Sequence, residues 1–170
     1  MTQPKKRRAM STLLIVAEGD AEIAFLRHLK ATYHDELGRA VTVKNSNGGG
    51  GHRVLQLAIR ETRAYHFMKT VVMLDNDAHW DEKDRRDAER AKIKVVESSP
   101  CLEATLLRIC GHTANGVTAE LKRQFAETFG CEAHNPKCLQ QHFGRDVLDG
   151  ARERVDELMS LMNHMGIKAR

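Results

Sequence analysis

The chain lacks any apolar run approaching the roughly 20 residues that a membrane-spanning helix needs; its longest apolar stretches are short, such as Leu13 to Val16 and Val71 to Leu74. Behind its basic start it also lacks the hydrophobic segment of a secretory signal, so a cytoplasmic location is expected. Cysteine is sparse: Cys101, Cys110, Cys131 and Cys138 are even in number, but a chain this rich in aliphatic residues does not need a disulfide framework, and reduced thiols are expected. No internal repeat is present, which excludes solenoids and propellers, and the only low-complexity block is the glycine run Gly48 to Gly51. That run lacks the Lys-Ser/Thr of a P-loop and is a poor nucleotide-binding signature.

What remains is a chain of 170 residues with a formal charge of +4, a length that suits one domain with a sizeable core and a helical extension. Much of the positive surplus lies in Lys5, Lys6, Arg7 and Arg8, within a polar tail over residues 1–11 that reads as disordered. Four consecutive cations attract phosphate backbones in a salt-sensitive way, and they serve equally well as a solubilising tail.

Two acidic clusters stand at the exits of apolar strands, LLIVAEGDAE (Leu13 to Glu22) and VVMLDNDAH (Val71 to His79). Strands apolar on both faces are expected in a parallel sheet covered by helices, and ligands of open α/β sheets bind beyond the strands' carboxyl ends. Glu18, Asp75 and Asp77 there would offer hard oxygen ligands, suited to Mg²⁺ or Mn²⁺ more than to Zn²⁺. Each carboxylate also has a bland role, capping the following helix or fixing a turn.

Along the chain, Asp20 to about Tyr33 reads as a helix that stops at Gly38, Ala40 to Lys44 as a second strand, and 45–51 as a flexible loop before a helix over Arg53 to Phe67. His52 and Arg53 follow the glycine run and are placed to assist a phosphate. A third strand spans Thr70 to Leu74, a densely charged helix Asp81 to Lys92 packs on Ala88 and Ala91, and Ile93 to Val96 is a fourth strand. Pro100 suits the first turn of a helix beginning near Cys101. Beyond Gly111 the pattern is helical: Val117 to Phe129, Lys137 to Phe143, and one long helix over Asp146 to Met165. The domain reading is therefore a tail, an α/β unit over 12–112 and a helical extension over 113–170 packed on it.

In that order the segments IVAEGDAEIAFL, VVMLDNDAH and VVESSPCLEATLL resemble the Toprim domain of topoisomerases, primases and overcoming-lysogenization-defect nucleases, and within that group the RloB-like proteins of prokaryotic defence loci. The resemblance covers Leu13 to Cys110; Leu102 stands where an aromatic is usual, and Ala104-Thr105 replaces a bulkier pair. It implies a Toprim-like Rossmannoid fold, with a mostly parallel sheet of about four strands flanked by helices. It also implies that Glu18 acts as metal ligand or general acid/base and that Asp75 and Asp77 bind Mg²⁺ or Mn²⁺; by position, Glu22, four residues on from Glu18, and Glu103, after the Ser-Pro turn, could approach the same pocket, and each equally suits a helix's first turn without catalysis.

The implied activity is Mg²⁺-dependent phosphodiester hydrolysis on nucleic acid, with a partner ATPase as in related nucleases. A noncatalytic nucleic-acid- or partner-binding subunit and a primase-like nucleotidyltransferase are the alternatives. Two further features stay open. Cys131, His134, Cys138 and His142 are four potential zinc ligands whose spacing fits no common finger, with scattered core cysteines and surface histidines the simpler account. Trp80, the lone tryptophan, fits a core edge better than a base-stacking platform.

Overall fold

A computed structural model describes residues 10–76 and 79–169. Lys5 to Arg8 and Asp77 lie outside these described residues.

Four apolar segments form one parallel sheet: β1 (Thr12–Ala17), β2 (Ala40–Asn45), β3 (Lys69–Asp75) and β4 (Lys94–Ser98), in the order β2-β1-β3-β4. Between them lie α1 (Asp20–Thr32), α2 (Gly50–Tyr65) and α3 (Glu82–Arg90). The strands alternate their side chains between two cores. Leu13, Ile15, Val71 and Met73 enter a large core with Phe25, Leu26 and Leu29 of α1. Leu14, Val16, Val72 and Leu74 enter a smaller one with Val54, Leu55 and Ala58 of α2 and Ala88 of α3. Both faces are therefore covered, and the fold is a doubly wound, Rossmann-like α/β sheet. Because β2 lies on one side of β1 and β3 on the other, the chain reverses its winding direction at the β1/β3 pair.

The large core continues into the C-terminal helices α4 (Leu102–Ile109), α5 (Thr118–Phe129), α6 (Pro136–His142), α7 (Arg145–Ala151) and α8 (Asp156–Met165). Nearly every residue of α4 is buried, so α5 and α7 pack on it, while α8 covers β4. Polar ties fix these layers: Arg108 pairs with Glu157 at 2.7 Å, and Tyr33 donates to Asp149 Oδ1 at 2.6 Å. No described helix is long and apolar enough to cross a membrane.

Several sequence expectations need correction. The helix expected to begin at Arg53 starts at Gly50, so the end of the glycine run is its first turn and not loop; Gly49 before it sits at φ 91°, where glycine carries no steric penalty. Pro100 precedes Cys101, the N-cap of α4, and does not enter the helix. The single helix expected over Asp146 to Met165 is broken after Ala151, where Arg152 turns inward and donates to Asn163 Oδ1 and the Ile167 carbonyl, both at 2.7 Å. Cys131 and Cys138 are joined in a disulfide across the loop leading into α6, and only Cys101 and Cys110 are free thiols. The bond removes both sulfurs from any zinc ligand set with His134 and His142.

Candidate acidic cleft

A cleft of about 1180 Å³ opens beyond the C-terminal ends of β1 and β3, at the reversal point of the sheet. Glu18, Glu22, Asp75 and Glu103 all line it, with Asn45 and Asn47, Gly48 to Gly50, His79, Lys122, Glu132 and His134. Ala17 pairs with Met73 in the parallel register, so the chain exits of β1 and β3, carrying Glu18 and Asp75, lie side by side.

Both strand-end carboxylates are oriented by helix N-termini, where unpaired amides and the helix dipole favour negative charge. Glu18 Oε1 accepts from the Gly50 amide at 2.9 Å, and Asp75 Oδ1 from the Leu102 amide at 3.0 Å. Each carboxylate thus meets the start not of the helix that follows it, as expected, but of a more distant one, Glu18 that of α2 and Asp75 that of α4.

Glu22 and Glu103 come from the first turns of α1 and α4 and are each only 8% exposed. Burial raises the Glu22 pKa above its ordinary 4.5 and the charge of Glu103 adds to the rise, while hydrogen bonds to its own amide and to Asp75 pull the other way. Burial, reinforced by the charges of Glu103 and Asp75, pushes the Cys101 thiol up to about 11, so it stays protonated and unreactive at neutral pH.

Lys122 of α5 is the cation of this cleft that the sequence reading missed. Burial alone would lower its pKa, but Glu103, Asp75, Cys101 and Glu22 together raise it, so the ammonium stays charged among the carboxylates. Only an interaction with an element outside the α/β pattern places it there, and its spacing along α5 gave no signal.

The remaining expected residues are elsewhere. His52 turns away to Asp84, the Nδ1–Oδ1 distance being 2.6 Å; burial works against the lowered Asp84 pKa, and His52, the Asp81 amide and the charge of Lys83 together outweigh it. Arg53 borders a separate groove with Asn45, Ser46, Gln56 and Arg60. Trp80 packs against the smaller core, and Gly51 is needed beneath it, since a Cβ there would stand 2.7 Å from the indole ring. Among the described residues no three metal-ligating side chains close around one point.

No family model matches the chain, and no curated protein does. It is similar to one solved structure, the C-terminal region of the OLD protein of Xanthomonas campestris pv. campestris, at 21% identity over 94% of this chain and 82% of that one, with a TM-score of 0.37.

Proposed function

We propose that the acidic cleft is the active site of a Mg²⁺- or Mn²⁺-dependent phosphodiesterase of the Toprim type acting on nucleic acid. The observation that carries this reading is the convergence of Glu18, Glu22, Asp75 and Glu103, from two strand ends and two helix starts, on one cleft at the sheet's reversal point. The donor chemistry fits a hard divalent cation. Mg²⁺ is generally held by one or two carboxylates together with waters and substrate phosphate, and not by an all-protein cage. Glu18 and Asp75 would hold the ion, with Asp77 a further ligand by resemblance, and when bound it supplies charge neutralisation at the phosphate and an activated water.

The chain's own groups divide the remaining work. The Gly50 and Leu102 amides hold Glu18 and Asp75 in fixed orientations. Glu22, its pKa raised by burial and by Glu103, can keep or release a proton nearer neutrality than an ordinary carboxyl, as a general acid or base requires. Lys122 remains protonated and presents its ammonium to a phosphate oxygen, offsetting the carboxylates that would otherwise repel an anionic substrate.

The test is calorimetric titration of Mg²⁺ and Mn²⁺ into wild type and Asp75→Ala, followed by cleavage assays on single- and double-stranded DNA and RNA in the same buffers. Binding and cleavage lost together support the proposal. Cleavage by the Asp75→Ala protein at the wild-type rate sinks it.

One observation favours a second reading, a noncatalytic nucleic-acid- or partner-binding subunit: Lys122 already balances part of the carboxylate charge that a bound cation would neutralise. Nucleic-acid binding in chelator with no turnover on any substrate is its signature. Membership of an RloB-like defence system, a cytoplasmic setting and a partner ATPase belong to the proposal with the Toprim resemblance that suggested them.

A further inference from the structure

The opposite edge of the sheet, where the strands begin, carries a different set of charges. Lys69 lies two residues before Val71 and Lys94 two before Val96; both valines enter the large core, so the two lysines leave the sheet on that same face. Arg39 stands two residues before Val41, another member of that core, and its Nη1 donates to Ser11 Oγ at 2.6 Å. Ser11 in turn lies two residues before Leu13 of the core. The register places Ala40 beside Thr12, Lys69 beside Leu13, and Lys94 beside Val71. Arg39, Ser11, Lys69 and Lys94 thus form a stepped row across all four strands, along the rim of the face that α8 covers.

The end of α8 supplies His164 to this rim. Its Nδ1 is buried and has no hydrogen-bond partner among the described residues, and the same holds for Arg39 Nε. No ion pair involves Arg39, Lys69 or Lys94 among those residues. Nor does the carbonyl end of α8 answer the three cations: Met162, Asn163 and Met165 give their carbonyls to the Ile167, Gly166 and Gly38 amides. Burial, aided by Lys69, Lys94 and Arg39, drives the His164 pKa down to about 4, so the imidazole is neutral at physiological pH and is free to donate or accept. Burial lowers Lys69 too, with Arg39 and Lys94 adding to the shift.

Native proteins seldom leave buried polar atoms unpaired or gather like charges without a counter-charge. We propose that this rim, built from Arg39, Lys69, Lys94 and His164, is a binding site for a phosphate oxyanion, separate from the acidic cleft and independent of any catalysis there. Three fixed cations supply the attraction. The Arg39 guanidinium adds directional donors to the two ammonium groups, with the His164 ring beside them as reporter, and the row of cations across the strands matches a phosphate group or successive phosphates of a nucleic-acid strand.

The experiment follows the His164 imidazole resonances of the full chain by NMR in chelator, so that no cation site contributes, while inorganic phosphate or a short single-stranded DNA is titrated in. Saturable movement of the His164 signals is expected, with its titration midpoint rising toward the ordinary imidazole range as the anion neutralises the rim. Lys69→Met/Lys94→Met should abolish the movement, and the solvent-exposed single change Lys94→Glu should do so without touching the core. Asp75→Asn should leave it intact, which separates failure of this site from failure of the cleft. Response to phosphate with no added affinity for DNA identifies a small-anion site. Tighter response to DNA, with the salt slope reduced by roughly 1 to 2 in the double lysine variant, identifies a strand-binding rim. No movement with either probe, or movement unchanged in a folded Lys94→Glu protein, overturns the proposal.

Discussion

The two ends of this sheet share a backbone and differ in sign. At the C-terminal end, Glu18, Glu22, Asp75 and Glu103 crowd one cleft; at the N-terminal end, Arg39, Lys69 and Lys94 form the stepped row whose charges reach His164. In a parallel sheet, the helices run back against the strands, so their positive N-termini gather where strands end and their negative C-termini where strands begin. The polarity of the fold therefore favours this placement of charge before any function is considered. Glu18 on the Gly50 amide and Asp75 on the Leu102 amide are explained by it. Glu22, raised by burial and by Glu103, and Lys69, lowered by burial and by its cationic neighbours, are not: each is destabilised where it sits. Charge that exceeds what the helix ends can stabilise is the part that points to a ligand.

The comparison breaks most sharply at Asp75. Asp75→Ala should lower cleavage by about a hundred- to a thousand-fold if the cleft is catalytic, while the phosphate response of His164 at the other end stays as it was. Lys122→Met comes next. Loss of this lysine should reduce turnover by roughly a hundred-fold and move the acidic limb of the pH profile upward, since Glu22 loses a favourable charge; an unchanged profile would reduce Lys122 to charge balance.

A third test separates the cleft wall from the rim. Replacing both Cys131 and Cys138 by Ser should lower stability by about 2.5 kcal/mol on loop-entropy grounds, read as a drop in the urea midpoint. The segment between those cysteines holds Glu132 and His134 in the cleft, so hydrogen exchange should quicken there and not at the strand starts.

Glu22→Gln carries a sign. A carboxyl whose folded pKa is raised above 4.5 favours the folded state most when protonated, and that advantage is lost as pH rises through the folded value. The Gln variant should therefore be more stable than wild type at pH 7, with the difference shrinking toward pH 4, as urea midpoints at the two pH values would show. The smallest effect belongs to the rim: Lys94→Ala relieves repulsion of Lys69 and should stabilise by a few tenths of a kcal/mol at low salt, vanishing at high salt. A loss of stability there would mean that the rim cations have partners in the fold.

How far the sequence announced these two ends differs as well. The acidic end was legible because its residues follow apolar runs that can only be buried strands: Leu13 to Val16 before Glu18, and Val71 to Leu74 before Asp75. Glu22 and Glu103 were legible as first-turn acids of the following helices. Lys122 was not, since its position depends on how α5 packs across α4, a tertiary fact with no local pattern. The basic end was invisible for a related reason. Arg39, Lys69 and Lys94 look like ordinary flanking charges until the register puts them on one face. His52 was drawn away by Asp84 of α3, and Arg53 borders the neighbouring groove, placements the sequence does not encode locally. The break after Ala151 hid because Arg152 looks like a surface residue and is in fact 8% exposed, bonded to the end of α8. The Cys131–Cys138 bond escaped because composition argues for a compartment and not for a pair.

The close approach of Gly38 and Gly166 sets how accurately the rim can be built. A Cβ on Gly38 would fall 2.9 Å from the Gly166 carbonyl oxygen, and one on Gly166 only 2.8 Å from the Gly38 Cα, so two bare backbones touch where the chain's last helix ends and its second strand is about to begin. Arg39 is the next residue after one of them, and His164 lies two before the other. The separation of the two backbone segments that carry Arg39 and His164 is therefore gauged by main chain against main chain, and a single methyl group at this junction would act as a wedge that opens the rim without altering any of the residues that line it.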